Sequence, residues 1–277
     1  MRITVNHTTL FFDVDGPQLA VADEQLHPRP TLVALHGGPG FDHGYLRPGL
    51  SPLAADAQVV FVDLRGQGRS GPAPARECTL EQMADDVAAL IWELGVAPAD
   101  VVGFSMGSGA ALQLAIRHPE AVRRLVVISG SYRHDGMQPE MLAMIPTITP
   151  EMFAGSPMEE AYKRLSPHPG RFKALVRKLK ALDATPFEWS EEEVRGVTAP
   201  ALVVVGDSDV VTVEHAAQMY RLLGGGGFGD LSTPGPTQLA VLPGTSHFMP
   251  PGSGVLDRSA LLLAIIPPFL GAEASAG

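Results

Sequence analysis

The stretch Asp100–Arg117, DVVGFSMGSGAALQLAIR, passes from a short apolar run straight into a helical pattern, and the join at Gly103-Phe104-Ser105-Met106-Gly107 has the form Gly-x-Ser-x-Gly. A serine held on so tight a strand-to-helix turn must adopt strained backbone angles. Residues without bulk two positions to either side are needed for strand and helix to approach. The turn pushes the hydroxyl out of the sheet, and the N–H of Met106, opening a helix, is directed at negative charge that develops beside it.

The neighbouring sequence repeats the same grammar. Thr31–His36 (TLVALH) ends at Gly37-Gly38-Pro39-Gly40, Gln58–Asp63 (QVVFVD) ends at Arg65-Gly66-Gln67-Gly68, and Arg124–Ser129 (RLVVIS) ends at Gly130. Each run is apolar on both faces, as strands covered by helices on both sides require. Between them Thr79–Leu94 carries apolar residues at three and four spacing behind a Thr79/Gln82 capping box, and Met106–Arg117 presents small residues to the sheet. Alternation of strand and helix predicts a mainly parallel doubly wound α/β sheet. Ile3–Asn6 and Leu10–Val14 are close enough to make an antiparallel hairpin at one edge.

From Ser131 to about Gly196 prolines punctuate short helical patterns, and five methionines fall between 137 and 158. Ala201–Gly206 and Gln238–Leu242 then resume the strand pattern, with a helix over Val213–Leu223 between them and a flexible glycine run at 224–227. The expected organisation is a core of 1–130 and 197–277 with a helical cap, 131–196, inserted into it.

A serine hydroxyl is a weak nucleophile near neutral pH and needs a base within hydrogen-bond reach. Of nine histidines, His247 follows the last strand and so falls at the same carboxyl edge of the sheet as Ser105. His36 and His43 lie in or near the glycine loop, His118 ends the helix after the serine, and His134 and His168 belong to the cap. A carboxylate is needed to orient the base; Asp209 is the choice in Gly206-Asp207-Ser208-Asp209, with Asp207 the alternative, and no acid follows the strand ending at Ser129. A second donor for the oxyanion is expected from the Gly38 N–H, since glycine lets the backbone approach and Pro39 fixes the turn; a glycine turn without function reads the same.

These residues together resemble the α/β-hydrolase superfamily: His36-Gly37-Gly38-Pro39-Gly40, Asp63-Leu64-Arg65-Gly66-Gln67-Gly68-Arg69-Ser70, the turn at 103–107, Asp209 and His247. The resemblance implies an α/β-hydrolase fold, an eight-stranded mostly parallel sheet with a cap after strand six, and no cofactor. The first 130 residues look most like the proline iminopeptidase branch, which usually carries tryptophan where this chain has Met106 and glutamine where it has Leu64. A Ser-Met-Gly turn looks more like ester and lactone hydrolases. Adjacent Glu159 and Glu160, the acids an aminopeptidase would need for a substrate ammonium, read as a solvated helix face. Epoxide hydrolases and haloalkane dehalogenases need an aspartate where Ser105 stands, and non-catalytic receptors of the fold form the binding-module alternative.

The reading is therefore acyl transfer by Ser105, His247 and Asp209 on a small-molecule ester or lactone, with an N-terminal proline peptidase as the alternative. Phe104, Phe248 and Met249 beside the reacting groups, with Phe153 and Trp189 of the cap, are the candidate substrate contacts. The cap methionines 137, 141, 144, 152 and 158, with Phe153, Phe187 and Trp189, fit an adaptable apolar pocket or plain packing within the cap. A net charge of −10 without a basic cluster speaks against nucleic acid. Single Cys78 reads as structural and leaves neither a disulfide framework nor a cysteine metal cluster, and no metal is expected. The absence of a signal-like start or a span-length apolar run points to a soluble, cytoplasmic monomer or homodimer with no membrane contact.

Overall fold

The computed structural model describes residues 1–22, 25–38, 42–230 and 235–271. Eight strands form one sheet: β1 (Arg2–Val5), β2 (Thr8–Asp15), β3 (Thr31–Leu35), β4 (Gln58–Asp63), β5 (Ala99–Phe104), β6 (Val122–Ile128), β7 (Ala201–Ser208) and β8 (Gln238–Ser246). They lie in the order β1-β2-β4-β3-β5-β6-β7-β8. β2 runs antiparallel to both β1 and β4, and every other pairing is parallel. The hairpin expected at one edge is β1 with β2, in the register Ile3↔Leu10.

The pleat sends alternate residues of each central strand into two separate cores. Val33, Leu35, Val60, Val62, Val101, Val203 and Val205 face one core, packed under α1 (Leu80–Glu93), α2 (Met106–Arg117) and the helix Val213–Leu222. Leu32, Ala34, Val59, Phe61, Val102, Leu202 and Val204 face the other, which is closed by Leu46, Leu50 and the C-terminal helix Ser259–Leu270. Burial on both faces explains why these strands read as continuous apolar runs. Thr79 caps α1, its side chain accepting from the Gln82 amide.

Between Arg133 and Ala184 the described structure holds helices and turns, the longest helix being Phe172–Ala184, with isolated β-bridges from Arg133 to Glu188 and from Met137 to Val211. Tyr162, Phe172, Leu175, Val176 and Leu179 give this segment a small core of its own. Trp189, Val194 and Val197 instead join the core under the sheet. The C-terminal helix continues through Pro267 and Pro268 to Leu270 and ends on Gly271 in the left-handed conformation. No helix among the described residues is long and apolar enough to cross a membrane.

Candidate active site

Ser105 stands between β5 and α2 with φ 54° and ψ −122°, a conformation sparsely populated by residues with a side chain. The flanking glycines make the turn possible. A Cβ on Gly103 would lie 2.3 Å from the Gly107 carbonyl oxygen, and one on Gly107 would lie 2.3 Å from that of Leu35. Both obstacles are backbone, so the spacing of the pentapeptide is a packing requirement of three adjacent segments.

The Ser105 hydroxyl lies 3.0 Å from His247 Nε2, 142 residues away in sequence. His247 Nδ1 is in turn 2.7 Å from Asp209 Oδ1. A proton on Nδ1 shared with a carboxylate leaves Nε2 as the acceptor for the serine hydroxyl. Phe104 stacks on the imidazole at 4.9 Å between ring centres and limits its rotation.

Asp209 is buried. Its Oδ2 accepts from the Ser129 hydroxyl at 2.5 Å and the Gly206 amide at 3.0 Å, and Oδ1 accepts from the Val210 amide at 2.7 Å. Burial pushes the carboxyl up, but these donors and His247 outweigh it and hold it below the ordinary carboxylate range. Asp207 faces elsewhere: it accepts from the amides of Gly244 and Thr245 at 2.8 and 3.0 Å and so fixes the turn that leads to His247. The two aspartates thus divide orientation of the ring from positioning of its loop.

The glycine loop after β3 lies against the serine. A Cβ on Gly37 would meet Ser105 Cβ at 3.0 Å, and one on Gly38 would meet Met106 Sδ at 2.9 Å. His36 fixes the loop from below, its Nε2 accepting from the Leu64 amide at 3.0 Å and its Nδ1 lying 2.6 Å from the Gly37 carbonyl. Burial lowers its pKa, which suits the neutral ring this arrangement demands. Gln67 Nε2 reaches Met106 Sδ at 3.8 Å and holds that side chain across the loop. The expected contributions of Pro39 and Gly40 lie outside the described residues.

Below the loop, Asp63 gathers the rest of the Asp-x-Arg-Gly-x-Gly-x-Ser stretch. It accepts from the amide of His43 and from that of Arg69, both at 2.8 Å, and from His43 Nδ1 at 2.7 Å. This motif therefore shapes the floor of the site rather than entering it.

A cavity of about 280 Å³ opens over Ser105. Gly38, Phe104, Met106, His247 and Phe248 line it from the sheet side, and Met137, Met141, Ile145, Ile148, Met158, Leu182 and Phe187 from the helical segment. Of the candidate contacts, Phe104 and Phe248 reach the cavity. Trp189 does not: it is buried in the core under the sheet with its N–H 3.4 Å from Glu81. Phe153 packs edge-on against Phe172 within the helical segment, and Met249 is exposed beyond the rim. Met137, Met141 and Met158 line the cavity, whereas Met144 and Met152 are exposed.

Sequence reasoning missed Ser129 and Asp183. Ser129 has positive φ at the end of β6, in the position examined only for an acid. Asp183 lines the cavity from the helix Phe172–Ala184, and its isolation depends on tertiary packing that no spacing rule reveals. Among the described residues no group of three His, Cys, Asp or Glu could hold a metal ion.

Comparison with known proteins bears on the fold. The enol-lactonase of Burkholderia xenovorans LB400 superposes with a TM-score of 0.67 at 20% identity, covering 98% of this chain and 100% of its own. A thermophilic esterase from Thermogutta terrifontis gives 0.68 at 22%, with 98% of each chain covered. Among curated sequences, the protein named "Putative carbamate hydrolase RutD" of Azorhizobium caulinodans is 34% identical over 143 residues, 52% of each chain. The match thus spans about half the length of that relative. A family model described as alpha/beta hydrolase fold matches residues 30–184, more than half of the chain, and the chain belongs to that family.

Proposed function

We propose that this protein is a serine hydrolase that cleaves carboxylic ester or lactone bonds through an acyl-enzyme. The observation that carries the reading is the continuous contact from Ser105 Oγ to His247 Nε2 at 3.0 Å and from His247 Nδ1 to Asp209 Oδ1 at 2.7 Å. His247 takes the Ser105 proton as the hydroxyl attacks the carbonyl carbon, and Asp209 stabilises the imidazolium that forms. The N–H groups of Met106 and Gly38 receive the oxyanion. His247 then returns the proton to the leaving alcohol, and water, deprotonated by the same ring, releases the acid and restores Ser105.

The segment 131–196 acts as a cap over the cavity, anchored to the core under the sheet through Tyr132, Trp189 and Val194. Enol-lactonase and esterase among the structural neighbours support ester chemistry, and the carbamate hydrolase name denotes attack on a related carbonyl. Glu159 is committed to the Gly155 amide at 2.8 Å and to Lys163 at 3.0 Å, which leaves it unavailable to a peptide ammonium.

The test is hydrolysis of p-nitrophenyl butyrate, an acyl-homoserine lactone and proline p-nitroanilide side by side, with labelling by a fluorophosphonate. Wild type is expected to label at Ser105 and to turn over the ester or the lactone. Ser105→Ala is expected to lose labelling and about 10⁴-fold or more in kcat. Full esterase activity in Ser105→Ala overturns the mechanism, and selective turnover of the anilide overturns the substrate class.

A further inference from the structure

The part of the cavity wall contributed by residues 137–187 is apolar, with one exception. Asp183 lines it together with Leu182, Phe187 and the methionines and isoleucines of the helical segment. Among the described residues its carboxylate has neither a hydrogen-bond donor nor an ion-pair partner. Asp183 and His247 are the ionisable side chains among the described residues lining the cavity, and His247 is already held by Asp209; no lysine or arginine contributes to the wall.

A carboxylate facing apolar side chains without a cation is costly to keep, and a shape-matched apolar residue would stabilise the fold better. Burial alone pushes the Asp183 carboxyl up to about 7, so near neutral pH it hovers between the acid and the anion. A cation arriving with the ligand supplies what the protein lacks. The surrounding thioethers and the Phe187 ring suit the alkyl stem of such a ligand and the face of its charged head.

We infer that Asp183 is a specificity-determining residue that pairs with an alkylammonium group carried by the substrate, so that the preferred esters or lactones bear a basic amine. This inference rests on the ester or lactone reading above, but binding can be measured apart from turnover. The apolar cavity selects the hydrocarbon part of the ligand and Asp183 selects the charge. A neutral ligand of the same shape leaves the carboxylate unpaired, and an anionic one meets it with repulsion.

The test begins with calorimetric titration of wild type and Asp183→Asn with pentylammonium chloride and with pentanol. Wild type is expected to bind the cation about ten- to a hundredfold more tightly than the alcohol, the range for a hydrogen bond to a charged group. Asp183→Asn is expected to bring that ratio close to one while melting no lower than wild type. Asp183→Leu gives the same comparison should the amide variant fail to fold. A ratio near one in wild type, or an undiminished ratio in the variants, overturns the inference. Turnover of dimethylaminoethyl butyrate against its neutral 3-methylbutyl isostere then separates the two readings. Selective binding of pentylammonium with no hydrolysis of either ester refutes the proposed function and leaves the subsite standing. Equal hydrolysis of both esters without selective binding refutes the subsite alone.

Discussion

Ser129 extends the site one step beyond the contact chain of Ser105, His247 and Asp209. Its hydroxyl donates to Asp209 Oδ2, the carboxylate oxygen that His247 does not use. Ser129→Ala removes one of three donors that keep Asp209 ionised against burial, and the hold on the imidazole loosens with it. The expected result is a fall of about tenfold in kcat with KM little changed, equivalent to roughly 1.4 kcal/mol in the transition state. Steady-state kinetics on p-nitrophenyl butyrate checks it; kcat within twofold of wild type assigns the positioning of Asp209 to the Gly206 and Val210 amides alone. Ser105, Asp209 and His247 were legible because chemistry restricts which residue types can end those strands. Ser129 was not, since a serine closing a strand is unremarkable until its partner is known. Trp189, Phe153 and Met249 were misplaced because composition cannot tell a residue lining a cavity from one packed in a core or left on a rim.

At the scale of elements, the strand-to-helix turn is governed by what its glycines exclude. Gly107→Ala sets a methyl against the carbonyl oxygens of Leu35 and His36, at 2.3 and 2.6 Å, and β3 is held there by pairing on both sides. The expected loss is about 3 kcal/mol or more, read as a fall in the urea midpoint or as loss of soluble protein. Gly95→Ala is the control: its Cβ meets nothing within 4 Å, although φ is +67°, so its cost is only that of the backbone, about 1 kcal/mol. Strands β3 to β7 and both helices flanking the serine could be read from apolar runs and helical spacing. The antiparallel ribbon of Leu19–Ala22 with Gln25–Pro28 could not, because Gln25–Pro28 is exposed throughout and only four residues long. Nor could the extension of β8 from Leu242 to Ser246, where a register shift follows Pro243 and Gly244.

Across the whole molecule, a buried ion pair ties the N-terminal hairpin to the first helix. Arg65 grips Asp86 with Nε and Nη2 at 2.6 and 2.7 Å and donates to the Asn6 carbonyl at 3.0 Å. Arg65→Met leaves Asp86 charged and buried and is expected to cost about 3–5 kcal/mol, while Arg65→Met with Asp86→Leu recovers most of it. Chemical denaturation of the two variants decides between a pair that stabilises and one that merely must not be broken. His215, stacked on Tyr132, sets a pH dependence. Burial, helped by Arg133, pulls its pKa down to about 4. The unfolded chain, titrating near 6.5, therefore binds the extra proton, and stability drains away as pH falls from about 6.5 to 4, by on the order of 3 kcal/mol. Asp183, raised to about 7, acts oppositely and costs stability as pH rises through the same window. The readout is thus the difference between wild type and His215→Gln, whose unfolding curve is expected to lose the acid-side slope.

The strand order carries one more consequence. Ser105 follows a central strand and Asp209 follows β7, but His247 follows β8, an edge strand and the last of the eight in chain order. On the proposed mechanism, a nascent chain presents a nucleophile with no base to arm it until β8 and the turn beyond it have been made. The topology keeps the emerging polypeptide chemically silent until its edge strand is in place.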